Sequence, residues 1–367
     1  MCVDLHSCSF FVTSNEKGCD QMARTTVYNK ITSKEKLGQV NQNNIELAED
    51  FLTYLLSIDR SEGTIRGYRN DLNIFWCWNL DFNKNKDFAK LTKREIARFQ
   101  NYAINIWGWS PKRTRRVKSC LSSMSNYIQD ILDEEEEFEN FTPIIRKIEN
   151  PANEAVRKKT VFSDNQVQML MDELVKRQEY EKACSIAIAA YSGMRKSELL
   201  QMKTEFFSDE HLIFDGAMWE TEEIRTKGKG KLGKRLNKYI LVGAKPYIDL
   251  WLNERKKLNI DSEFLFVTKL KNENGDVIWK RRANLSQWTE EFTEIVGDNF
   301  YYHSLRHFTC SMLFRNNIPS DVIQDFFGWS SSEMLTIYND NSAKDTFGKY
   351  FTKYGIAETK EGSLHTI

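Results

Sequence analysis

The chain has 367 residues, 41% of them apolar, with 52 basic and 52 acidic side chains that cancel to a formal net charge of zero. That length favours two domains, each burying a core of its own, and no run approaches the roughly 18 uninterrupted apolar residues of a membrane span. Asp4 and His6 stand where a secretory signal would carry a basic and then an apolar stretch, so the expected compartment is the cytoplasm.

Seven cysteines, at 2, 8, 19, 77, 120, 184 and 310, include no CxxC pair and read as reduced thiols rather than a disulfide frame. Bulk charge gives no support for a nucleic-acid partner, but distribution matters more than the sum. The run "PKRTRRVK" (111–118) holds Lys112, Arg113, Arg115, Arg116 and Lys118 with no acid among them. The run "IRTKGKGKLGKRLNKY" (224–239) holds seven basic residues, Lys227, Lys229 and Lys231 among them. Lys112, Arg113, Arg115, Arg116, Lys118, Lys229 and Lys231 are therefore candidate phosphate contacts, the alternative being two solvated faces. The acidic run "DEEEEFEN" (133–140) reads as a solvated face or linker.

Residues 1–43 are polar without sustained periodicity and read as an irregular lead-in; the spacing of Cys2, His6, Cys8 and Cys19 fits no zinc pattern. From 44 to 132 the apolar period is helical. "IELAEDFLTYLLSI" puts Ile45, Ala48, Leu52 and Leu55 on one face, and "TIRGYRNDLNIFWCW" does the same with Ile65, Tyr68, Leu72 and Phe75, Thr64 serving as N-cap. Two further helices follow in "TKREIARFQNYAINIWGW" and in "PKRTRRVKSCLSSMSNYIQDIL", which opens on Pro111. Periodicity stops over 133–160, where Pro143 and Pro151 fall, and this window reads as a linker.

A second domain over 161–345 begins with Ser163 as the N-cap of "VFSDNQVQMLMDELVKR", and "EKACSIAIAAYSGMRKSELLQM" is a buried helix, a turn at Gly193 and a further helix. "HLIFDGAMW", "EEIRTKG" and "KYILVG" have the content of three short strands. Helices return in "AKPYIDLWLNERKKL", "NLSQWTEEFTEIV", "SLRHFTCSMLFRNN", "PSDVIQDFFGW" and "SSEMLTIYN", and residues 346–367 form a C-terminal tail. The fold class is mainly α with a small antiparallel β-sheet in the C-terminal domain.

The stretch "YYHSLRHFTC" (301–310) gathers two of the chain's five histidines around Arg306. A helix starting near Ser304 places His303 at its N-terminal edge with Arg306 and His307 a turn along, and Leu305, Phe308, Met312 and Leu313 as its apolar stripe. Amides at a helix N-terminus attract anions, so this reads either as a phosphate seat or as a capped helix whose polar face meets solvent. Arg195 follows a buried helix and needs an anion, which is either a ligand or the nearby Glu198. Lys227 lies at a strand end, and "FFGWSSSEMLTIYND" sets Trp329 nine residues before Tyr338.

The ordered series "SGMRKSELL", a Lys-Gly hairpin, "HSLRH" and "FGWSSSEMLTIY" resembles the active-site constellation of the tyrosine recombinases, the phage integrase family, whose pattern is Arg, Lys, His-x-x-Arg, His or Trp, and Tyr. "SEGTIRGYRNDLNIF" looks like the start of that family's helical core-binding domain, so the resemblance covers roughly residues 44 to 345. It implies a two-domain, C-shaped DNA clamp: a SAM-like core-binding domain over 44–132 and a catalytic domain over 161–345. It also implies catalytic roles for Arg195, Lys227, His303, Arg306, Trp329 and Tyr338, with Glu198 and His307 in support.

In such a site two guanidiniums hold the non-bridging phosphate oxygens without a metal, Tyr338 attacks phosphorus, His303 takes its proton, and Lys227 protonates the departing 5′-oxygen. Trp329 packs on the phosphate and donates its indole N–H. No cofactor is implied. The implied partner is double-stranded DNA carrying recombination sites, bound by a homotetramer built from free monomers through a Holliday junction, with no membrane involved. "SAKDTFGKYFTKYGI" is either a segment that docks on a neighbour or an ordinary terminal helix.

Tryptophan stands where most members carry histidine, and Lys229 competes with Lys227 for the lysine role. Alternatives within the chemistry are a Xer-like dimer resolvase and a type IB topoisomerase; outside it stands a DNA-binding regulator without turnover. Zinc binding by His303 and His307 fails the HExxH pattern at Ser304.

Overall fold

In the computed structural model, the described residues are 27–152, 160–228 and 233–342, with Phe347, 351–352 and 355–356. The chain divides into two compact units, Met1–Glu154 and Ala155–Ile367.

The first unit is helical: α1 (Val27–Ile31), α2 (Lys34–Gly38), α3 (Gln42–Ser57), α4 (Glu62–Phe82), α5 (Lys93–Asn105) and α6 (Pro111–Ile131), with 3-10 turns at Phe88–Lys90 and Ile145–Lys147. Apolar faces at helical spacing meet in one core, where Phe51, Leu72, Phe75, Trp76, Trp78, Phe99 and Leu121 are buried almost completely. Helix starts follow local chemistry. Thr92 and Glu95 form a reciprocal capping box on α5, and Ser110 caps α6 ahead of Pro111. The cap of α4 is Ser61, whose hydroxyl accepts from the Thr64 amide, so Thr64 lies inside the helix rather than before it.

Two stretches expected to be irregular are ordered parts of this unit. Within the lead-in, α1 and α2 pack on α4, and Tyr28, Ile31 and Leu37 lie against the core. Within the linker, Phe138 and Ile145 are buried in the same core. Those positions are too few and too irregularly spaced to carry a helical period, which is why periodicity misses them.

The second unit opens with α7 (Asp164–Lys176), capped by the Ser163–Gln166 box, and α8 (Tyr180–Ser192), which is buried nearly all round. A turn at Gly193 leads to the short α9 (Lys196–Leu199). The strands β1 (Leu212–Ile213), β2 (Met218–Glu220) and β5 (Tyr239–Leu241) form an antiparallel sheet in the order β1-β2-β5. Between β2 and β5 a hairpin of β3 (Ile224–Thr226) and β4 (Lys234–Leu236) projects, pairing Ile224 with Leu236 and Thr226 with Lys234.

After α10 (Lys245–Lys257) comes a second hairpin, β6 (Val267–Lys271) and β7 (Val277–Arg281), which the strand reading passed over. Its strands are mostly exposed, so no apolar alternation marks them; the signal present is the Asn-Gly at Asn274–Gly275 in the turn. The remaining helices are α11 (Thr289–Val296), α12 (Tyr302–Arg315), α13 (Ser320–Phe327) and α14 (Glu333–Tyr338), followed by the small pair β8 (Phe351–Thr352) and β9 (Gly355–Ile356). The large core of this unit surrounds α8, which packs against α7, α10 and α12. A smaller core joins Cys310, Leu313, Ile323, Phe327, Trp329, Leu335 and Tyr338. Among the described residues no helix is long and apolar enough to cross a membrane.

Candidate active site

Helix α12 carries the histidines and the second arginine, and it starts at Tyr302, placing His303 in its first turn. A helix with a solvent-facing polar side is not what forms. Arg306 is 1% exposed and His307 7%, and Ser304, Thr309 and Ser311 are buried as well; His303 alone of this group is exposed.

The reason for burying Arg306 lies in its surroundings. Its Nη1 donates to the Gly193 carbonyl at 2.7 Å, and its Cζ lies 4.6 Å over the Phe327 ring, 5.1 Å from Trp329 and 5.4 Å from Tyr338. Gly193 sits at φ +60, where a Cβ would also collide with the Phe327 ring, so a side-chain-free residue lets this turn close on α13. Burial first, and the neighbouring Arg195 second, hold the Arg306 pKa below its usual value, while Glu198 and Tyr338 oppose that shift. Its Nε and Nη2, and the Nε1 of Trp329, are buried without a hydrogen-bond partner among the described residues. Three orphaned donors in one pocket is an arrangement that an absent anion would satisfy.

Arg195 stands at the start of α9. Its Nη1 donates to Glu198 Oε1 and its backbone amide to Glu198 Oε2, both at 2.9 Å, and the Glu198 side chain is fully buried while the Arg195 side chain keeps 25% exposure. Both alternatives for the arginine thus meet in one arrangement: the carboxylate fixes one edge of the guanidinium, and the side chain stays accessible.

Tyr338 closes α14 at 5% exposure, and its hydroxyl lies 2.9 Å from His303 Nε2, with the donor set by the imidazole tautomer. Its ring is held from both sides, stacked on Trp329 at 5.1 Å and tilted on His307 at 4.5 Å, while Trp329 stacks in turn on Phe327 at 4.3 Å. His307 Nδ1 lies 3.2 Å from Asp340 Oδ2, and the Asp340 amide donates to Ser311 Oγ at 2.8 Å, tying the segment after the tyrosine to α12.

Arg195, Glu198, His303, Arg306, His307, Trp329 and Tyr338 therefore gather in one place from α9, α12, α14 and the turn after α13. Lys227 stands exposed at the end of β3, where the hairpin loop begins; Lys229 and Lys231 lie outside the described residues. Lys238 joins the site without having been singled out. It is 3% exposed, its Nζ donates to the Phe327 carbonyl at 3.3 Å, and burial pushes its pKa down to about 8. The two-residue spacing carries the signal, because Lys238, just before β5, and the fully buried Ile240 within it are both buried. Asp340 was missed too; its only sequence mark is its place two residues after the tyrosine.

The basic run of α6 is more committed to its own unit than its charge suggests. Lys118 is buried, with Nζ on the carbonyls of Ile148 and Glu149, which corrects its reading as a solvent-facing phosphate contact. Arg115 donates to the Pro151 carbonyl. Arg113 and Arg116 pair with the buried Asp71, whose pKa burial raises against the pull of both arginines. Lys112 is exposed.

Residues 160–345 fit the phage integrase family. The chain belongs to that family. Its catalytic unit is accordingly that of a site-specific tyrosine recombinase. The SPbeta prophage-derived recombinase-like protein YomM of Bacillus subtilis (strain 168) is 30% identical over 236 residues, 63% of this chain and 67% of its own. Solved structures with this fold include the Tn1549 transposon integrase in complex with circular intermediate DNA, at TM-score 0.54 and 16% identity over 82% of this chain and 97% of that one. A lambda integrase tetramer bound to a Holliday junction aligns at TM-score 0.55 and 13% identity, over 80% of this chain and 76% of that one.

Proposed function

We propose that this recombinase cuts and rejoins double-stranded DNA through a 3′-phosphotyrosyl link on Tyr338, in the service of integrating a phage or other mobile element. The observation that carries the reading is the 2.9 Å contact of the Tyr338 hydroxyl with His303 Nε2, set beside the orphaned donors of Arg306 and Trp329. A phosphodiester entering there brings the acceptor oxygens those donors lack.

In this reading Arg195 and Arg306 hold the non-bridging oxygens, whose charge grows in the transition state. The Tyr338 oxygen bonds to phosphorus while the bond to the 5′-oxygen breaks; the phenolic proton passes to His303, and Lys227 supplies a proton to the leaving oxygen. The new ester resembles the one it replaces, so a 5′-hydroxyl from another strand reverses the step. Glu198 keeps Arg195 in place, and the His307–Asp340 pair keeps the nucleophile's ring against Trp329. The helical first unit acts as the core-binding domain, with Lys112 and the Asp71-held Arg113 and Arg116 toward the backbone.

Assembly of four protomers on a Holliday junction from monomers free in the cytoplasm completes the reading, and the lambda integrase assembly supports it by analogy of fold. The experiment is covalent trapping on a pool of nicked duplexes of randomised sequence. Wild-type protein is expected to yield SDS-resistant complexes and Tyr338→Phe none while still binding DNA. Trapping by Tyr338→Phe would reassign the nucleophile.

A further inference from the structure

Lys238 belongs to none of the roles above, yet it is placed among them. Its backbone is clamped to the buried Thr221, through Thr221 N to the Lys238 carbonyl at 2.9 Å and Lys238 N to Thr221 Oγ1 at 3.0 Å, so its stem leaves the sheet in a fixed direction. The side chain runs under the turn after α13. Its Nζ reaches the Phe327 carbonyl, and a Cβ built on Gly328 would lie 3.9 Å from it. Phe327 is the ring beneath Arg306, and Trp329 follows Gly328 directly.

We propose that Lys238 is a positioning residue of the phosphate site, a buried ammonium that braces the Phe327–Gly328–Trp329 turn and stands as a third cation behind Arg195 and Arg306. The inference rests on the proposed recombinase reading and extends it to a residue that touches neither DNA nor the reacting atoms. A buried ammonium is costly unless something offsets it, and this buried position just before β5 would accept an apolar side chain at no such cost.

The groups around it decide how it responds to an anion. Glu198 of α9 stabilises its charge; Arg306 of α12, Arg195 and Lys234 of β4 oppose it, and burial opposes it most. A pKa pushed down to about 8 means that the ammonium is present below that pH and is lost as pH rises through it. A phosphate dianion or diester held by the arginines adds negative charge nearby, which raises that midpoint, so charge on Lys238 and occupancy of the site reinforce each other.

The test has two arms. In the first, protein labelled with ¹³C-lysine is titrated and the Lys238 Cε resonance, assigned by its loss in Lys238→Arg, is followed against pH with and without inorganic phosphate. The expected midpoint is near 8 and moves upward with phosphate. An ordinary lysine midpoint, or one that phosphate leaves unmoved, overturns the inference whatever the fate of the nucleophile.

In the second arm, cleavage of a trapped duplex by Lys238→Met and Lys238→Arg is compared with wild type. Lys238→Met is expected to lose on the order of tenfold in rate, less than the roughly 100-fold or more of a direct donor, and to lose the alkaline limb of the kcat/KM profile. Lys238→Arg is expected to keep most of the rate and move that limb upward. Wild-type rate and profile in a folded Lys238→Met overturn the inference. Absence of covalent complex from wild-type protein overturns the recombinase reading instead, and the resonance titration still decides Lys238.

Discussion

Among the described residues, Glu198 is the carboxylate in contact with Arg195 inside the site, and Glu198→Gln isolates what it contributes. The substitution keeps the shape and an oxygen for the Arg195 amide, but removes the charge opposite Arg195 Nη1 and leaves Arg195, Arg306 and Lys238 with less to balance them. Breaking a fully buried pair costs about 3–5 kcal/mol. Because a quarter of the Arg195 side chain reaches solvent, which screens its charge, the low end applies, about 3 kcal/mol.

That is a fall of roughly 100-fold in the folding equilibrium. With a urea dependence of about 1–3 kcal/mol per molar, the unfolding midpoint drops by about 1 M or more. The assay is urea unfolding of wild type and Glu198→Gln at neutral pH under matched salt. A midpoint unchanged within about 0.3 M, which at the same slope is under about 1 kcal/mol, would refute the view that a buried charge network underlies the site.

Arg306→Ala is expected to slow covalent trapping by roughly 100- to 1,000-fold, since it removes two donors, Nε and Nη2, that have no hydrogen-bond partner among the described residues, and a wild-type trapping rate would remove Arg306 from the phosphate site. Lys118→Met is expected to destabilise the first unit by about 1–3 kcal/mol through the loss of bonds to the Ile148 and Glu149 carbonyls. The salt dependence of its DNA binding should stay as in wild type, and a slope reduced by about one would return Lys118 to the DNA contacts.

How much of this is legible in the sequence depends on how each feature is encoded. Helices α3 to α8 and α10 to α14 announce themselves by period and caps, and the order of Arg195, His303, Arg306, Trp329 and Tyr338 points to a single site before any coordinates. Contacts between distant segments leave no periodic trace. The packing of α1, α2, Phe138 and Ile145 onto the first core is such a case, as is the use of Lys118 and Arg115 to hold backbone carbonyls at 148–151.

Charge is the weakest guide of all, because a basic run reads alike whether its side chains face phosphate or fold back. Asp71 lies 42 residues from Arg113 in sequence, and only the packing of α4 on α6 shows that the two meet. Lys238 is the instructive middle case. Its two-residue spacing from Ile240 is present in the sequence, but its charge is indistinguishable from that of the surrounding basic run, and burial of a lysine is uncommon.

The measurement that bears most directly on the account is the identity of the residue joined to DNA. Wild-type protein trapped on a nicked duplex is digested with protease and nuclease, and the peptide carrying a nucleotide is sequenced by mass spectrometry. The account predicts a 3′-phosphoryl nucleotide on Tyr338, beside His303 and over Trp329. The same nucleotide on Tyr301, Tyr302 or any other of the chain's 14 tyrosines would contradict it.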